Sequence, residues 1–292
     1  MTTDLAAAYA ACRRVNARYG RTYYLATLLL PPEKRRYVHA LYAFARLTDE
    51  IVDEFSGATT EQRAATLAAW RAAFERDLDS GGSADPVRLA VVDTARRWAI
   101  PRERFTAFLD AMASDLSVTE YKTYDDLAAY MQGSAAVIGR QMVPILGPLD
   151  DAAYAYADDL GTGFQLANFV RDVGEDLRRG RVYLPLEDLD LFDVTREDLA
   201  RGVVDGRVRR LLAFETARAR EVLRAAEPGI RLLHPTSRDC VRTALTLYGG
   251  ILDAVERADY RVLDRRVAVS PARRAAVALP ALVRARRARR SA

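Results

Sequence analysis

Apolar residues recur along most of this chain at three- and four-residue intervals. Alanine and leucine dominate, and period-two runs bounded by turn residues are scarce. That spacing lays apolar side chains along one face of a helix rather than one face of a strand. Breakers cut the pattern into about ten segments. Pro31-Pro32 opens a helix running through about Glu54, with proline in the tolerated first turn, and Ser56-Gly57 closes it. Thr59 and Thr60 cap the next helix, which passes through Trp70. Further helices are predicted over 87–98, 102–114, 124–146, 150–178, 205–227 and 236–260, with a basic one at 271–290. Gly180 to Pro185 reads as an irregular connection. The Ser-Gly-Gly-Ser-Ala-Asp-Pro stretch at 80–86 is a candidate boundary, but the residues before it are few for an independent core. The expectation is therefore one all-α domain over residues 1–292, with a basic helix or tail at about 271–292.

Composition narrows the class. Of 292 residues, 29% are charged and 50% fall in the hydrophobic set, a globular rather than disordered balance. Two cysteines, Cys12 and Cys240, can build neither a disulfide framework nor a thiolate zinc site, which suits a reducing compartment. No apolar run approaches the roughly 18–20 residues of a membrane span, and Met1–Ala10 lacks a basic-then-apolar leader. The expected location is cytoplasmic, with peripheral contact at the inner membrane surface as its extension.

Charge is distributed unevenly. Asp264 is the last acidic residue and nine arginines follow it; with those set aside, the rest of the chain stands at −5 rather than +4. No nucleic-acid reader fold or stacking-aromatic pattern accompanies this basic tail, so no nucleic-acid partner is expected. Arginines interspersed with Ala, Val and Leu fit an amphipathic helix on anionic lipid better, the plain alternative being a disordered soluble tail.

Two segments carry chemistry. Tyr42, Arg46, Asp49 and Asp53 fall within roughly 60° of one another on a helical wheel, and Gln165, Asn168, Asp172 and Asp176 within about 80°. Each stripe ends in two aspartates one turn apart, and the first is flanked by Val38, Leu41, Ala45 and Val52, which should face a core. Carboxylates at the edge of an apolar face are costly unless paired, protonated or bound to cations. They are either solvated faces with ordinary intrahelical pairs, or a clamp. Facing aspartates suit Mg²⁺, which takes one or two carboxylates plus phosphate oxygens and keeps several waters. A magnesium–diphosphate clamp inside a helical bundle is the second reading, with ionisation of a phosphate ester as its chemistry.

With these motifs the chain resembles the squalene/phytoene synthase family of head-to-head prenyl-diphosphate synthases over essentially its whole length. The matching stretches are Tyr23 through Arg36, the Asp49–Asp53 pair, Asp115-Leu with Tyr121-Lys-Thr, Tyr130 through Gly139, Gln165–Asp176, and Arg181-Val-Tyr-Leu-Pro. Within the family it is most similar to bacterial phytoene synthases. The resemblance implies an all-α isoprenoid-synthase bundle around a central cavity and dependence on Mg²⁺, with Mn²⁺ as a substitute. It also implies condensation of two prenyl diphosphates through a cyclopropylcarbinyl diphosphate. Proton loss then gives phytoene from geranylgeranyl diphosphate in carotenoid biosynthesis. With farnesyl diphosphate the products are squalene, dehydrosqualene or presqualene diphosphate, and NADPH is needed only for squalene.

Carried over by that resemblance, Asp49, Asp53, Asn168, Asp172 and Asp176 would bind metal. Arg46, Arg171 and Arg265 would neutralise diphosphate, Gln165 would contact the diphosphate–metal assembly, and Arg21, Thr22 and Tyr23 would bind substrate. Tyr42, Tyr130 and Tyr248 match cavity tyrosines that orient the leaving group or steady a cation. Downstream lipid-modifying enzymes are candidate partners. Ser134-Ala-Ala-Val-Ile-Gly139 suits either a long lipid chain or ordinary close helix packing.

The chain also departs from the family pattern. Tyr19-Gly-Arg21-Thr22-Tyr23 stands where many members begin His-x-Lys-Ser-Phe, and the block after Tyr130 loses its second aromatic. His39 lies off the acidic stripe and reads as structural. Trp70 and Trp98 read as core or helix contacts. Gly161-Thr-Gly163-Phe lacks a third glycine and a preceding strand, so it is no dinucleotide fingerprint. Terpene cyclases are disfavoured because their aspartate-rich motif is absent. A noncatalytic helical assembly factor would have lost the acidic pairs, and all four aspartates are present.

Overall fold

A computed structural model describes residues 4–53 and 57–291 of the chain. Glu54 and Ser56, placed by the periodicity at the end of the Pro31 helix, lie outside the described residues. The regular elements among the described residues are helical. Their only β-type contacts are two isolated bridges, Glu120 with Val182 and Pro148 with Leu233. The fold is all-α.

In chain order the helices are α1 (Leu5–Tyr19), α2 (Arg21–Thr27), α3 (Pro32–Val52), α4 (Thr60–Ser80), α5 (Pro86–Arg97), α6 (Arg102–Ser114) and α7 (Tyr124–Met131). A π-helical turn (Gln132–Ala136) then leads into α8 (Val137–Leu146), α9 (Ala153–Arg178), α10 (Leu186–Leu191), α11 (Arg196–Ala200) and α12 (Gly206–Ala226). A 3₁₀ turn (Glu227–Leu232), α13 (Pro235–Arg257) and α14 (Pro271–Arg290) complete the order. The predicted helix over 124–146 is thus two helices joined by a widened turn. Nothing in Gln-Gly-Ser-Ala-Ala announces it, because the apolar period runs on across it.

Local chemistry explains the boundaries. Thr59 and Gln62 form a reciprocal capping box that starts α4, and Gly81 at φ 77° ends it, the left-handed geometry that favours glycine. The 80–86 link is pinned: Ser83 Oγ donates to Asp77 at 2.7 Å, Arg88 pairs with the same carboxylate at 2.6 Å, and Asp85 caps α5. One buried apolar cluster draws Tyr9, Phe44 and Phe74 from before the link and Val91, Phe105 and Leu247 from after it. Phe44 anchors this cluster, 4.5 Å from Phe74 and 5.8 Å from Phe105 between ring centroids. The Trp70 Nε1 donates to Thr48, and Trp98 stands edge-on to Tyr37. His39 is buried, accepts from the Asn16 amide at 2.9 Å and stacks on Tyr24.

Helix α9 lies close against α8 at Gly139 and against the π-helical turn at Gly161. A Cβ at Gly139 would lie 2.4 Å from the Ala157 carbonyl oxygen, and one at Gly161 would lie 2.6 Å from that of Ala135. The small residues of the Ser134–Gly139 block therefore serve helix contact. Several of them also line the cavity described below.

The basic C-terminal segment is an ordered helix. Ala278, Ala281 and Ala285 of α14 are buried, and the helix packs mainly on α13. Arg284 pairs with Asp239 at 2.8 Å, and Arg289 donates to the carbonyls of Leu29 and Leu30. Arg273, Arg286, Arg287 and Arg290 stay exposed on the outer side with Leu279 and Val283. No helix among the described residues is long and apolar enough to cross a membrane.

Candidate active site

Both acidic pairs sit at the C-terminal ends of their helices. Asp49 lies in the last turn of α3 and Asp53 caps it, while Asp172 and Asp176 occupy the last two turns of α9. There the unpaired carbonyls form the negative end of the helix dipole, which disfavours an added carboxylate by roughly 0.3–1 kcal/mol. Side chains placed there for stability would be basic, so these carboxylates call for cations.

Guanidinium groups meet part of that demand. Arg46 donates to Asp49 at 2.8 Å and to Glu50 at 3.3 Å, and lies 4.8 Å over the Tyr19 ring. Asp53 receives Arg181 at 2.6 Å and Arg179 at 3.2 Å. Arg171 grips its neighbour Asp172 with two parallel hydrogen bonds of 2.7 and 2.5 Å, and Arg266 reaches the same carboxylate at 2.9 Å. The Arg266 contact depends on Gly174. A Cβ there would lie 2.2 Å from the Leu263 carbonyl oxygen, so only glycine lets the α13–α14 connection lie against α9.

Negative charge still dominates. Burial, then the neighbouring Asp172, pushes the Asp176 carboxyl up to about 8, with Asp53 among the charges acting on it. Burial and Asp53 likewise push Asp49 upward. Asp53 is therefore the point where α3 and α9 meet electrostatically. Between them stands Asp115, raised to about 6 by burial despite donors from Tyr130 at 2.6 Å and Tyr183 at 3.3 Å.

Beneath this cleft is an aromatic and amide layer. The Tyr248 ring stacks on Phe164 at 4.0 Å and lies 5.6 Å from Tyr23, which in turn is 5.8 Å from Tyr42. Burial pushes the Tyr248 hydroxyl up, with Arg171 and the neighbouring Tyr23 and Asn168 side chains opposing the shift. Below it opens an apolar cavity with about 1080 Å³ of open space, its mouth included, lined at the top by Tyr23, Gln165 and Asn168 and farther in by α8, α9 and α13.

The predicted residues are not all gathered equally. Asp49, Asp53, Asp172, Asp176, Arg46 and Arg171 frame the cleft, and Tyr23, Tyr42, Gln165, Asn168 and Tyr248 lie at its junction with the cavity. Tyr130 stands apart from those tyrosines, in a stack with Tyr121 and Tyr183 that holds Asp115. Arg21 is exposed and Thr22 half-buried at the start of α2. Arg265 is exposed and makes no ion pair among the described residues, whereas its neighbour Arg266 contacts Asp172 and Glu175. Sequence reasoning assigned no role to Arg179, Arg181, Asp115, Tyr183 or Arg266. The Arg181-Val-Tyr183 run was the available signal for two of them.

The donor set fits Mg²⁺: every candidate ligand is a hard oxygen, and Asp176 is raised by burial and by its acidic neighbour Asp172. Among the described residues no three acidic, histidine or cysteine side chains converge to hold an ion by themselves. Carboxylate pairs that leave positions for water and phosphate oxygens match the coordination this ion prefers.

An all-α bundle with carboxylates and guanidinium forks over a greasy cavity defines an isoprenoid-synthase type of protein. Comparison with known proteins agrees. The family described as Squalene/phytoene synthase matches residues 16–273. A 15-cis-phytoene synthase of Synechocystis sp. is 40% identical over 274 residues, covering 90% of this chain and 80% of that protein. Another, from Synechococcus elongatus, is 39% identical over 297 residues, covering 97% and 94%. Among solved structures, squalene synthase HpnC from Alicyclobacillus acidocaldarius superposes with a TM-score of 0.78 at 29% identity, covering 88% of this chain and 95% of that one. A dehydrosqualene synthase at 24% identity shares the fold with a TM-score of 0.86, over 99% and 98%. The chain belongs to the squalene/phytoene synthase family and is a prenyltransferase.

Proposed function

We propose that the protein condenses two geranylgeranyl diphosphates head to head into phytoene, through a cyclopropylcarbinyl diphosphate, and that the whole chain works as one domain. The observation that carries this reading is the position of the acidic cleft directly over an apolar cavity. Phytoene synthases from cyanobacteria are the relatives it resembles at about 40% identity.

In this reading Asp49, Asp53, Asn168, Asp172 and Asp176 hold Mg²⁺, which supplies charge neutralisation for the departing diphosphate. Arg46, Arg171 and Arg181 add forked donors aimed at phosphate oxygens, and Arg266 closes from the α13–α14 connection. Substrate entry then requires these arginines to exchange a carboxylate partner for a phosphate one. Tyr23, Tyr248 and Phe164 present ring faces to the developing cation and exclude water. Burial holds the Tyr23 and Tyr248 hydroxyls protonated, so neither offers a phenolate to trap it. Asp115, fixed by Tyr130, Tyr183 and Arg181, braces the α3–α9 junction from below.

The outer face of α14 is proposed to rest on anionic lipid, its exposed arginines flanking Leu279 and Val283. That would suit greasy substrates and product.

Purified protein incubated with Mg²⁺ and either farnesyl or geranylgeranyl diphosphate, with and without NADPH, decides the reading. Phytoene from the C20 substrate without NADPH is expected. A C30 product from farnesyl diphosphate alone would overturn the C20 assignment, and no product from either would overturn catalysis.

A further inference from the structure

Helix α13 ends in a turn that glycine normally makes. Asp259 N–H donates to the Glu256 carbonyl and Tyr260 N–H to that of Val255, both at 2.9 Å, the pair of bonds that closes a helix through a left-handed residue. A Cβ is strained in that conformation, which is why glycine is favoured there. Here Asp259 (φ 52°) and Tyr260 (φ 57°) adopt it in succession, the only adjacent non-glycine residues at positive φ among the described residues. Strain of this kind persists where the surrounding structure imposes it.

The imposing contact comes from α12. Arg209 grips the Asp259 carboxylate with two parallel hydrogen bonds, Nε to Oδ1 at 2.8 Å and Nη2 to Oδ2 at 2.5 Å, across 50 positions of sequence. Glycine would turn the chain with less strain but would offer no carboxylate. A forked pair fixes direction as well as distance. Being exposed, it adds little to overall stability. What it fixes is where the chain goes next.

Tyr260 leans on a buried apolar cluster, and Val262 and Leu263 enter it beside Val173 of α9 and Leu211 of α12. The Leu263 carbonyl passes over Gly174, where a Cβ would lie 2.2 Å from its oxygen, and accepts from Arg178 at 3.5 Å. Three residues on, Arg266 reaches Asp172 at 2.9 Å and Glu175 at 3.6 Å. The direction in which the chain leaves α13 therefore decides where Arg266 stands.

The geometry points to Arg209 as a positioning residue: it holds Asp259, Asp259 holds the turn, and the turn aims Arg266 at the acidic cleft. Its effect on kinetics rests on the diphosphate contact proposed above for Arg266; its effect on the segment does not.

The test compares the wild type with Arg209→Ala, Arg209→Lys and Asp259→Gly, each alone and in an Arg266→Ala background. Limited trypsin digestion, with the cut after Arg265 followed by mass spectrometry, reports whether the segment is held. Initial rates with the prenyl diphosphate that the wild type turns over report on the cleft. Arg209→Ala and Asp259→Gly should each speed that cut and raise KM about fivefold, the scale of one exposed charge contact, with kcat within about twofold. Arg209→Lys, which keeps the charge without the fork, should fall between. The melting temperature of Asp259→Gly should hold or rise, because glycine takes the turn without strain. In the Arg266→Ala background neither substitution should raise KM further, as expected of residues acting through one contact. Cutting rates and KM unchanged in both Arg209→Ala and Asp259→Gly, or KM increases that persist in full without Arg266, would overturn the proposal. A wild-type KM in Arg266→Ala would overturn the diphosphate contact of Arg266, while the cutting rates would still decide the role of Arg209.

Discussion

Arg181 donates to Asp53 at 2.6 Å across 128 positions of sequence, and its other terminal nitrogen reaches the Asp115 carbonyl oxygen at 3.3 Å. One guanidinium thus ties the end of α3, the end of α6 and the turn after α9 at the point where the acidic stripes face each other. The cleft is preassembled by its own arginines, and a diphosphate entering with metal finds cationic and anionic groups already in register. Such preorganisation lets charge stabilisation act without reorganising the site during ionisation.

Tyr130 tests how far this bracing matters. Tyr130→Phe removes the 2.6 Å donor to Asp115 and leaves the stack with Tyr121 and Tyr183 intact. The lost hydrogen bond to a charged acceptor should cost about 1.5–3 kcal/mol of stability. Turnover should fall more than tenfold as the carboxylate loses its orientation. Thermal unfolding and steady-state kinetics on the same variant measure both.

Arg265 and Arg266 make a paired comparison. Arg266→Ala removes the contact to Asp172 and should raise KM for the prenyl diphosphate, an effect that salt reduces, with little change in melting temperature. Arg265→Ala should leave both quantities near wild type. Initial-rate kinetics at low and high ionic strength distinguish them.

How much of this was legible beforehand follows from range. Helix faces were readable, because period and caps are local: the Thr59 cap, Pro32 and the two acidic stripes all announced themselves. The partner of Asp53 was not, since nothing within a turn of it indicates arginines at 179 and 181. The contact of Arg266 with Asp172 was not legible for a different reason. The 258–270 connection is irregular, so no periodicity says which of two adjacent arginines faces α9, and the deciding contact is made by Gly174 on another element. The π-helical turn was hidden because its residues are equally at home in an α-helix.

His39 should set an acid limit on stability. Burial lowers its folded-state value to about 4, against an ordinary 6.5. Between those values the unfolded chain binds the extra proton, so stability falls as pH drops from about 6.5 toward 4 and levels off below. The full contribution is roughly 3 kcal/mol. Buried carboxyls such as Asp176 and Asp115, raised by burial, act in the opposite sense in both forms, so the check is a difference: denaturant melts from pH 7.5 to 4.5 on the wild type and His39→Gln should diverge by this contribution as pH falls.

The α14 face should govern lipid binding without governing the fold. Arg274, Arg284 and Arg289 hold the helix in place, so deleting residues 271–292 would also uncover α13 and is a poor test. Reversing Arg286, Arg287 and Arg290 to Glu leaves those contacts alone. Co-sedimentation with vesicles rich in anionic phospholipid should drop about tenfold or more for the reversed variant, since each basic residue near such a surface contributes about 1 kcal/mol. Equal binding by both forms would contradict a role for this face.

Inorganic pyrophosphate and Mg²⁺, added singly and together, probe the cleft without any turnover. Thermal shift should show strong stabilisation of the wild type only when both are present, and Asp53→Asn or Asp176→Asn should lose most of it, each measured against its own unliganded melting temperature, which for Asp53→Asn is lowered by the lost ion pairs to Arg179 and Arg181. Undiminished stabilisation in both variants would mean that the carboxylates of α3 and α9 do not hold the metal–diphosphate assembly.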